Sequence, residues 1–401
     1  MCFSLIIRYN ICIKLIWSVF MNKQIKLLMA IQFFIYFGFS IVIPVIPALV
    51  HSMNLNAFHM GLLLASYSIF SFIAAPFWGY LSDKIGRKKI LFIGLVGFTL
   101  SFLIFGIFID NLVMLYAARV IGGIFSGACF STTTSMVSDM TSEEERNKYM
   151  GLMGMMIGLG FIFGPAVGGL LSGISYQIPY FVTSAILVLI AILSTVTLKE
   201  TYQGNTNSKD VSVRPKMLTP QVILVLASTF LVMFTMSGME SVFQLFEIEK
   251  INITSTQMGM LFMVGGLVNA GLQGGYLRKV KDGQEQPVII AGQIITIIAF
   301  ILLPFSMNLW FAGLCLVLLM AGNALVRTLL TSQLTKEGNR ANMGKLTSIS
   351  YSMDSLGRIL GPLAFTAILS RQLDAPFYFG AIMTIVGTIV LMMYFKKGRN
   401  V

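Results

Sequence analysis

The sequence predicts an all-α membrane protein in which twelve transmembrane helices form two bundles of six. Three observations predict this fold: a very apolar composition, twelve long apolar segments, and basic residues on one side of those segments. Of 401 residues, 56% are hydrophobic and 11% are charged, whereas about 25% are charged in a soluble domain. Such a chain cannot cover a soluble core with polar groups, and disorder requires low hydrophobicity. A soluble enzyme and a disordered protein are therefore excluded.

The twelve apolar segments are each long enough to be a membrane-crossing helix, which needs about 20 mostly apolar residues. Numbered as spans 1 to 12, they cover residues 27–50, 58–80, 89–109, 112–138, 148–172, 177–198, 221–246, 256–277, 287–306, 309–333, 343–370 and 374–395. Strands of a membrane barrel are short and alternate in polarity. The long continuous runs therefore favour helices.

The loop charges predict the orientation of these spans. If Met21 lies in the cytoplasm, the outer loops contain only two basic residues, Lys250 and Arg371. The other loop lysines and arginines then lie inside, as the positive-inside rule requires, and both termini are cytoplasmic. Because topology accounts for the net charge of +12, we expect a lipid bilayer and no nucleic acid as a partner.

The first 20 residues do not fit this pattern, because Arg8 and Lys14 interrupt an apolar run that would make a poor span. No small-residue cleavage site follows, so a signal peptide is disfavoured. Two interpretations stay open. Translation starts at Met21, or residues 1–20 form a helix at the membrane surface.

The cysteines give no indication of catalysis or metal binding. They lie apart in apolar segments, without the spacing of a metal site or a disulfide scaffold. They are Cys2, Cys12, Cys129 and Cys315. We expect no cofactor and no enzymatic activity.

A polar stretch near the middle of the chain predicts two domains. Residues 21–200 would form the first bundle, 201–218 a cytoplasmic linker, and 219–401 the second bundle. Two short motifs recur with nearly the same offset, 197 residues for Gly164-Pro165 and 196 residues for Gly79-Tyr80-Leu81. A shared offset indicates a duplicated six-helix unit, and parallel repeats of this kind are typical of transporters.

The loop between spans 2 and 3 contains a long motif with a defined spacing. Residues 79–89, GYLSDKIGRKK, resemble motif A of the major facilitator superfamily, G-x-L-(S/A)-D-(R/K)-x-G-R-(K/R). The resemblance implies that Asp83 and Arg87 gate the inner face, while Gly79 and Gly86 permit close approach of helices. An ordinary basic loop would explain the lysines but not this spacing.

Span 4 contains a second match, LYAARVIGGIFSG at residues 115–127. It resembles motif B of the same superfamily, whose arginine, here Arg119, is associated with proton coupling. An arginine inside a span is costly and usually faces a cavity or a partner. The alternative is an arginine whose hydrogen bonds go to backbone carbonyls.

Span 5 contains a third match, to motif C, G-x-x-x-G-P-x-x-G-G. The matching residues are Gly160, Gly164, Pro165, Gly168 and Gly169. This motif is typical of antiporters of the superfamily. It implies a helix that packs tightly and bends at its proline, and the alternative is a packing seam without a hinge.

The resemblance covers residues 21–397 and is closest to bacterial twelve-span drug:proton antiporters. It implies a monomer in the bacterial plasma membrane that exports amphipathic compounds by exchange with protons. The sequence has no Walker motif, so ATP is not expected to drive it. Two alternatives stay open: an exporter of one endogenous metabolite, such as a siderophore, and a non-transporting receptor or scaffold.

Glu240, about two-thirds along span 7, is the predicted proton carrier. A carboxyl group in an apolar span can bind and release a proton because burial disfavours its charged form. The alternative is a structural pair with Arg327 or Arg358. Close relatives carry a second carboxylate in span 10, where this chain has none. Asp354 on span 11 is expected either to replace it or to pair with Arg358, four residues later on the same helix face.

The intramembrane charges also bear on the substrate. Arg119, Arg327 and Arg358 outnumber Glu240 and Asp354, a balance that would suit an anionic or zwitterionic compound. Tyr36, Phe161 and Phe243 match positions that line the cavity in the family and are expected to contact the substrate. Gln32 is expected to add a hydrogen bond. Arg327 and Arg358 complete the predicted substrate cavity. Helix packing or lipid contact is the alternative for each aromatic residue.

Overall fold

The computed structural model is helical, with no strand among the residues it describes. These residues are 23–141, 143–201, 219–277, 280, 283–337 and 343–398. The predicted extension at residues 1–20 and nearly all of the predicted linker lie outside them.

Within the described ranges a helix lies at each predicted span. The first six spans are Lys23–Ile41 with Val45–Ser52, Ala57–Ile85, Arg87–Ile107, Leu112–Asp139, Glu143–Ser172 and Ile178–Thr197. The last six are Pro220–Ile251, Ser255–Gly271, Glu285–Leu302, Leu309–Glu337, Met343–Leu369 and Ala375–Gly398. A π-helical turn, Leu272–Tyr276, extends span 8, and a 3-10 turn, Leu303–Phe305, extends span 9.

Ten of the described helices are long and apolar enough to cross a membrane. The two others are Ser255–Gly271, which has 17 residues, and Met343–Leu369, which carries Asp354 and Arg358. The all-helical fold is thus confirmed, while the count of twelve crossings stays a prediction. The outer faces of the helices are strongly apolar: on span 6, Val196 is 81% exposed. Exposed apolar surface of this extent indicates a lipid environment.

Local sequence signals explain where the helices begin and end. Span 1 is interrupted at Val42–Pro44, where proline lacks the backbone N–H that a continuous helix needs. Asn111 caps span 4 by accepting from the Val113 N–H at 3.1 Å, and Thr254 caps span 8 in a capping box with Gln257. Such caps satisfy backbone groups that would be costly to bury.

The two halves use the same helix pairs, offset by six spans. In the first half span 1 packs on spans 4, 5 and 6, span 4 on spans 2 and 3, and span 3 on span 6. In the second half span 7 packs on spans 10, 11 and 12, span 10 on spans 8 and 9, and span 9 on span 12. The packing therefore repeats in the same way as the sequence motifs.

The halves meet mainly through two crossed contacts, span 2 on span 11 and span 5 on span 8, with smaller contacts of spans 1 and 2 on span 7. A Cβ atom on Gly61 would lie 2.7 Å from the Pro362 carbonyl oxygen, and one on Gly169 would lie 2.6 Å from the Gly259 Cα. An ion pair of 3.5 Å joins the span 1 end, at His51, to span 7. All these contacts lie toward the end predicted to face outside.

Candidate functional site

Aromatic side chains of the first half form one wall of the space between the halves. Tyr36 packs on Phe130 and Phe161, with ring centroids 4.8 and 5.6 Å apart. Phe39 packs on Tyr67 and Phe161 at 5.0 and 5.7 Å. We call these five residues the aromatic wall. Spans 1, 2, 4 and 5 supply these residues. Aromatic pairs at such distances attract each other and so stabilise the packing of these four helices.

The second half contributes a cation to this wall. The guanidinium carbon of Arg358, on span 11, lies 5.7 Å from the Phe39 ring centroid and 5.3 Å from that of Phe161. A guanidinium within about 6 Å of an aromatic face is attracted to the ring electrons. Arg358 and the aromatic wall thus come from opposite halves and meet in the space between them.

Glu240 lies on span 7, in the second half. Its side chain is half-buried, and the charges of Arg358 and Arg327 act on it. Within the described ranges, its carboxyl forms neither an ion pair nor a side-chain hydrogen bond. The predicted structural pair with an arginine is therefore not formed, and this carboxyl can take a proton or a cationic group.

Asp354 does not pair with Arg358, so that expectation is wrong. Its Oδ2 lies 3.1 Å from Nη2 of Arg327, so the ion pair joins span 11 to span 10. Helix spacing permitted the pair with Arg358, but that guanidinium lies on the aromatic faces instead. A cavity of about 170 Å³ lies beside the Arg327–Asp354 pair and is lined partly by span 7.

Arg119 contacts its own half. It is 5% exposed, its Nε donates to the Leu63 carbonyl oxygen at 2.9 Å, and its guanidinium lies 4.5 Å from the Tyr67 ring centroid. The backbone-carbonyl contact considered above as an alternative is thus present. Through Tyr67, Arg119 also adjoins the aromatic wall.

Two predicted cavity residues lie away from the wall. Gln32 is 2% exposed and accepts a hydrogen bond from Thr133 at 2.8 Å. Phe243 is fully buried and packs edge-on against Phe262 of span 8. Sequence matching missed Phe39, Tyr67 and Phe130, since it shows which helix carries a residue but not the direction of its side chain. The available signal was that all three residues are aromatic and lie within predicted spans.

The motif C glycines form a seam along two helices. A Cβ on Gly160 would lie 2.8 Å from the Phe37 backbone nitrogen of span 1, and Ser40 donates to the Gly160 carbonyl oxygen at 2.9 Å. Gly169 meets span 8 of the other half at Gly259. Span 5 therefore connects the helix carrying Tyr36 to the contact between the halves.

Among the described residues, the charged side chains of motif A contact only the first half. Arg87 lies 2.8 Å from Asp139 at the end of span 4 and 3.4 Å from Asp83. The Asp83 side chain is 60% exposed, and a Cβ on Gly79 would meet no atom within 4 Å. With respect to the described part of the chain, the motif is therefore open on the side predicted to face the cytoplasm. The role of Asp139 was missed, although an acid at the end of a span was a signal.

Glu200 completes this region from the end of span 6. Its carboxylate accepts hydrogen bonds from the backbone N–H groups of Arg87 at 2.9 Å and Lys88 at 3.2 Å. Gly86, with φ of 107°, turns the chain so that these groups point at Glu200. A side chain at this φ would be strained. The Glu200 side chain thus caps the N-terminal end of span 3 from a distant position in the chain. No local sequence signal identified this role.

We expect Glu200→Ala to lower the free energy of unfolding by about 1 kcal/mol, because two backbone donors lose their acceptor. Thermal unfolding of the detergent-purified protein measures this. Asp110→Ala, at an exposed acid, is the matched control. Equal melting temperatures for the two variants would contradict the capping role.

Comparison with known proteins identifies the family to which this architecture is similar. The family model described as Major Facilitator Superfamily matches residues 28–362. Quinolone resistance protein NorA of Staphylococcus aureus (strain COL) is 27% identical over 379 residues, covering 93% of this chain and 97% of that protein. Multidrug resistance protein 2 of Bacillus subtilis (strain 168) is 29% identical over 395 residues, with coverage of 94% and 97%.

Solved structures show the same fold. A bacterial homologue of the human lysosomal transporter Spinster, in an inward-facing and occupied conformation, superimposes with a TM-score of 0.79 at 14% identity, covering 93% of this chain and 96% of that chain. The human organic anion transporter MFSD10 (TETRAN) superimposes with a TM-score of 0.69 at 21% identity, with coverage of 92% and 98%.

Proposed function

The chain belongs to the Major Facilitator Superfamily, and from this premise we propose that it is a proton-coupled exporter of amphipathic drugs or similar small molecules. The family model spans most of the chain, so the resemblance inferred from the motifs is confirmed and the protein is a multi-pass membrane transporter. Relatives named for quinolone and multidrug resistance support export as the direction.

One observation carries the proposal: Arg358 of the second half lies on the aromatic wall of the first half, and its charge acts on Glu240, whose carboxyl has no ion pair among the described residues. Aromatic faces suit the flat apolar parts of many drugs. Glu240 would bind either a proton or the positive group of a drug, so that the two compete. Competition for one carboxyl is a minimal mechanism for exchange.

Alternating access would expose this site to each side in turn. The halves touch at the end predicted to be outside, and Asp83 is open at the other end, so this conformation would face inward. Rocking of the two repeats around a midplane site is the common transporter mechanism. In this scheme Gly160–Gly169 hinges span 5, Asp83 with Arg87 gates the inner face, and Arg119 tunes the coupling.

The remaining predictions are kept as parts of the proposal. The domains would be residues 21–200 and 219–401, joined by the linker at 201–218. The protein would act as a monomer in a bacterial plasma membrane, with both termini in the cytoplasm. Asp354, paired with Arg327 at 3.1 Å, would hold spans 10 and 11 together beside the proton site.

The test is proton-gradient-driven movement of ethidium and of a quinolone in everted membrane vesicles. We expect uptake that stops when an ionophore collapses the pH gradient. Vesicles from cells without the protein provide the background. Uptake that survives collapse of the gradient would contradict proton coupling, and a folded protein that moves neither compound would contradict multidrug export.

A second candidate, favoured by the position of Arg358, is an exporter of organic anions. The Arg358 guanidinium lies on the aromatic wall without an ion-pair partner among the residues described, and it could bind a carboxylate. The similarity of fold to an organic anion transporter is compatible with this substrate class. A siderophore with acidic groups would be one such metabolite.

Arg358→Gln separates the two candidates. If the substrate is an anion, loss of the cation should raise the KM for an aromatic anion such as fluorescein about tenfold, equivalent to about 1.4 kcal/mol. If the substrate is a cation, the KM for ethidium should fall or stay unchanged. Initial transport rates in vesicles measure both. A rise in the ethidium KM alone would contradict both assignments.

A further inference from the structure

A second acid of span 7, Glu247, is buried in the second half and has no role in the scheme above. It is 0% exposed. Its Oε2 accepts a hydrogen bond from Ser306 at 2.9 Å, whereas its Oε1 has no hydrogen-bond partner among the described residues. A buried acid in a membrane protein that is not fully paired is a candidate proton site.

Glu240 and Glu247 share one face of their helix. They are seven residues apart, which is two turns and about 10 Å along the axis. The charge of Glu240 interacts with Arg358 on span 11 and Arg327 on span 10, and that of Glu247 with Cys315 on span 10. The two acids therefore lie along one face of span 7, each within electrostatic reach of a residue on span 10.

Gln244 lies between them on the same face, at the i+4 position from Glu240. It is 1% exposed, and within the described parts of the chain neither its amide nitrogen nor its amide oxygen has a hydrogen-bond partner. A buried amide normally has its hydrogen bonds satisfied. An amide that can both donate and accept suits a position where water passes between two carboxyls.

The outer end of this line approaches the surface. Lys250 donates to the Pro304 carbonyl oxygen at 2.7 Å and lies 3.6 Å from Asp374 at the start of span 12. Both side chains are partly exposed, at 30% and 38%. The ionisable groups around Glu247 are thus Lys250 and Cys315, with Asp374 beyond the lysine. The ones around Glu240 are Arg327 and Arg358.

We propose that Glu247 is a second proton-binding carboxyl, through which protons from the outer side reach Glu240. In the proposed step Glu247 releases its proton, water held by Gln244 carries it, and the Glu240 carboxylate takes it up. Glu247 is left as a carboxylate and takes a new proton from the outer side. The inference rests on the proposed proton-coupled function and supplies a second carboxylate where span 10 has none.

The test uses the full chain reconstituted in liposomes, with ethidium as the substrate. Glu247→Gln keeps the size of the side chain and an acceptor for Ser306, but it binds no proton. We expect pH-gradient-driven transport to fall about tenfold and ethidium exchange without a gradient to stay within about twofold, because exchange needs no net proton movement. Asp110→Asn, at an exposed loop acid, is the control.

Two further measurements keep the result interpretable. Infrared difference spectra between acid and alkaline pH should contain a protonated-carboxyl band that Glu247→Gln removes and Glu240→Gln does not. Gln244→Leu should retain both carboxyl bands but lower gradient-driven transport. This variant breaks the path without touching either acid.

The possible failures are distinct. If the wild type shows no gradient-driven transport, the proposed function fails, while the infrared band still decides whether Glu247 binds a proton. If Glu247→Gln changes neither transport nor the spectrum, the second proton site is overturned. If gradient-driven transport and exchange fall equally, Glu247 is structural and the proposal is also overturned.

Discussion

Replacing Glu240 by glutamine is expected to reduce gradient-driven export at least about a hundredfold, the lower range for loss of a proton-transferring group. The carboxyl has no ion pair or side-chain hydrogen bond among the described residues, so glutamine of similar size should leave the packing of span 7 intact. What is lost is the proton and the negative charge. Arg358 would then act on the site without an ion-pair partner among the described residues, whereas Arg327 keeps its pair with Asp354.

Uptake of ethidium in everted vesicles measures this effect. Asp110→Asn, at an exposed loop acid, should transport as the wild type does. Thermal unfolding of both variants checks that each is folded. A Glu240→Gln protein that is folded, inserted and still concentrates ethidium along a pH gradient would show that the proton binds elsewhere.

Replacing Gly169 by leucine is expected to prevent closure of the outer end. A Cβ at this position would already lie 2.6 Å from the Gly259 Cα and even closer to a backbone oxygen of span 8. Backbone atoms in packed helices cannot move aside as a side-chain end can, and overpacking of this kind costs about 1–3 kcal/mol. The population closed at the outer end should therefore fall roughly tenfold to a hundredfold.

Labelling of a cavity cysteine reports this change. With native cysteines replaced and Phe161→Cys introduced in the aromatic wall, a membrane-impermeant maleimide added outside should react faster when Gly169→Leu is present. Gly158→Leu, on the same helix, is the matched control, because a Cβ there meets no atom within 4 Å. Equal labelling rates in the two variants would exclude a tight outer seam at Gly169.

The fold followed from the sequence because one physical requirement dominates it. A helix must be long and apolar to cross a bilayer, so span 4, predicted at 112–138, is observed at Leu112–Asp139. Close helix packing at the motif C glycines could also be predicted from the sequence. Gly160 and Gly169 permit helix contacts that larger residues would block.

Which side chains pair with each other could be predicted less well from the sequence. Asp354 pairs with Arg327 on another span, although helix spacing favoured Arg358 on its own. Glu247 was missed because the predicted span ended at residue 246, which placed this acid in water. The helix in fact continues to Ile251, and loop residue Ser306 covers the acid. Such contacts depend on three-dimensional neighbours that a local pattern does not contain.

The cap that Glu200 places on span 3 has a consequence for how the chain is made. Glu200, which accepts the hydrogen bond, lies 113 residues after Arg87, whose backbone N–H donates it. At about 5–20 residues per second, a ribosome reaches Glu200 about 6–23 seconds after Arg87. The junction between spans 2 and 3 must therefore stay uncapped, on the side predicted to be cytoplasmic, until the sixth helix has been synthesised. Folding of the first half would then be completed only when Glu200, at its end, binds the backbone N–H groups at the start of span 3.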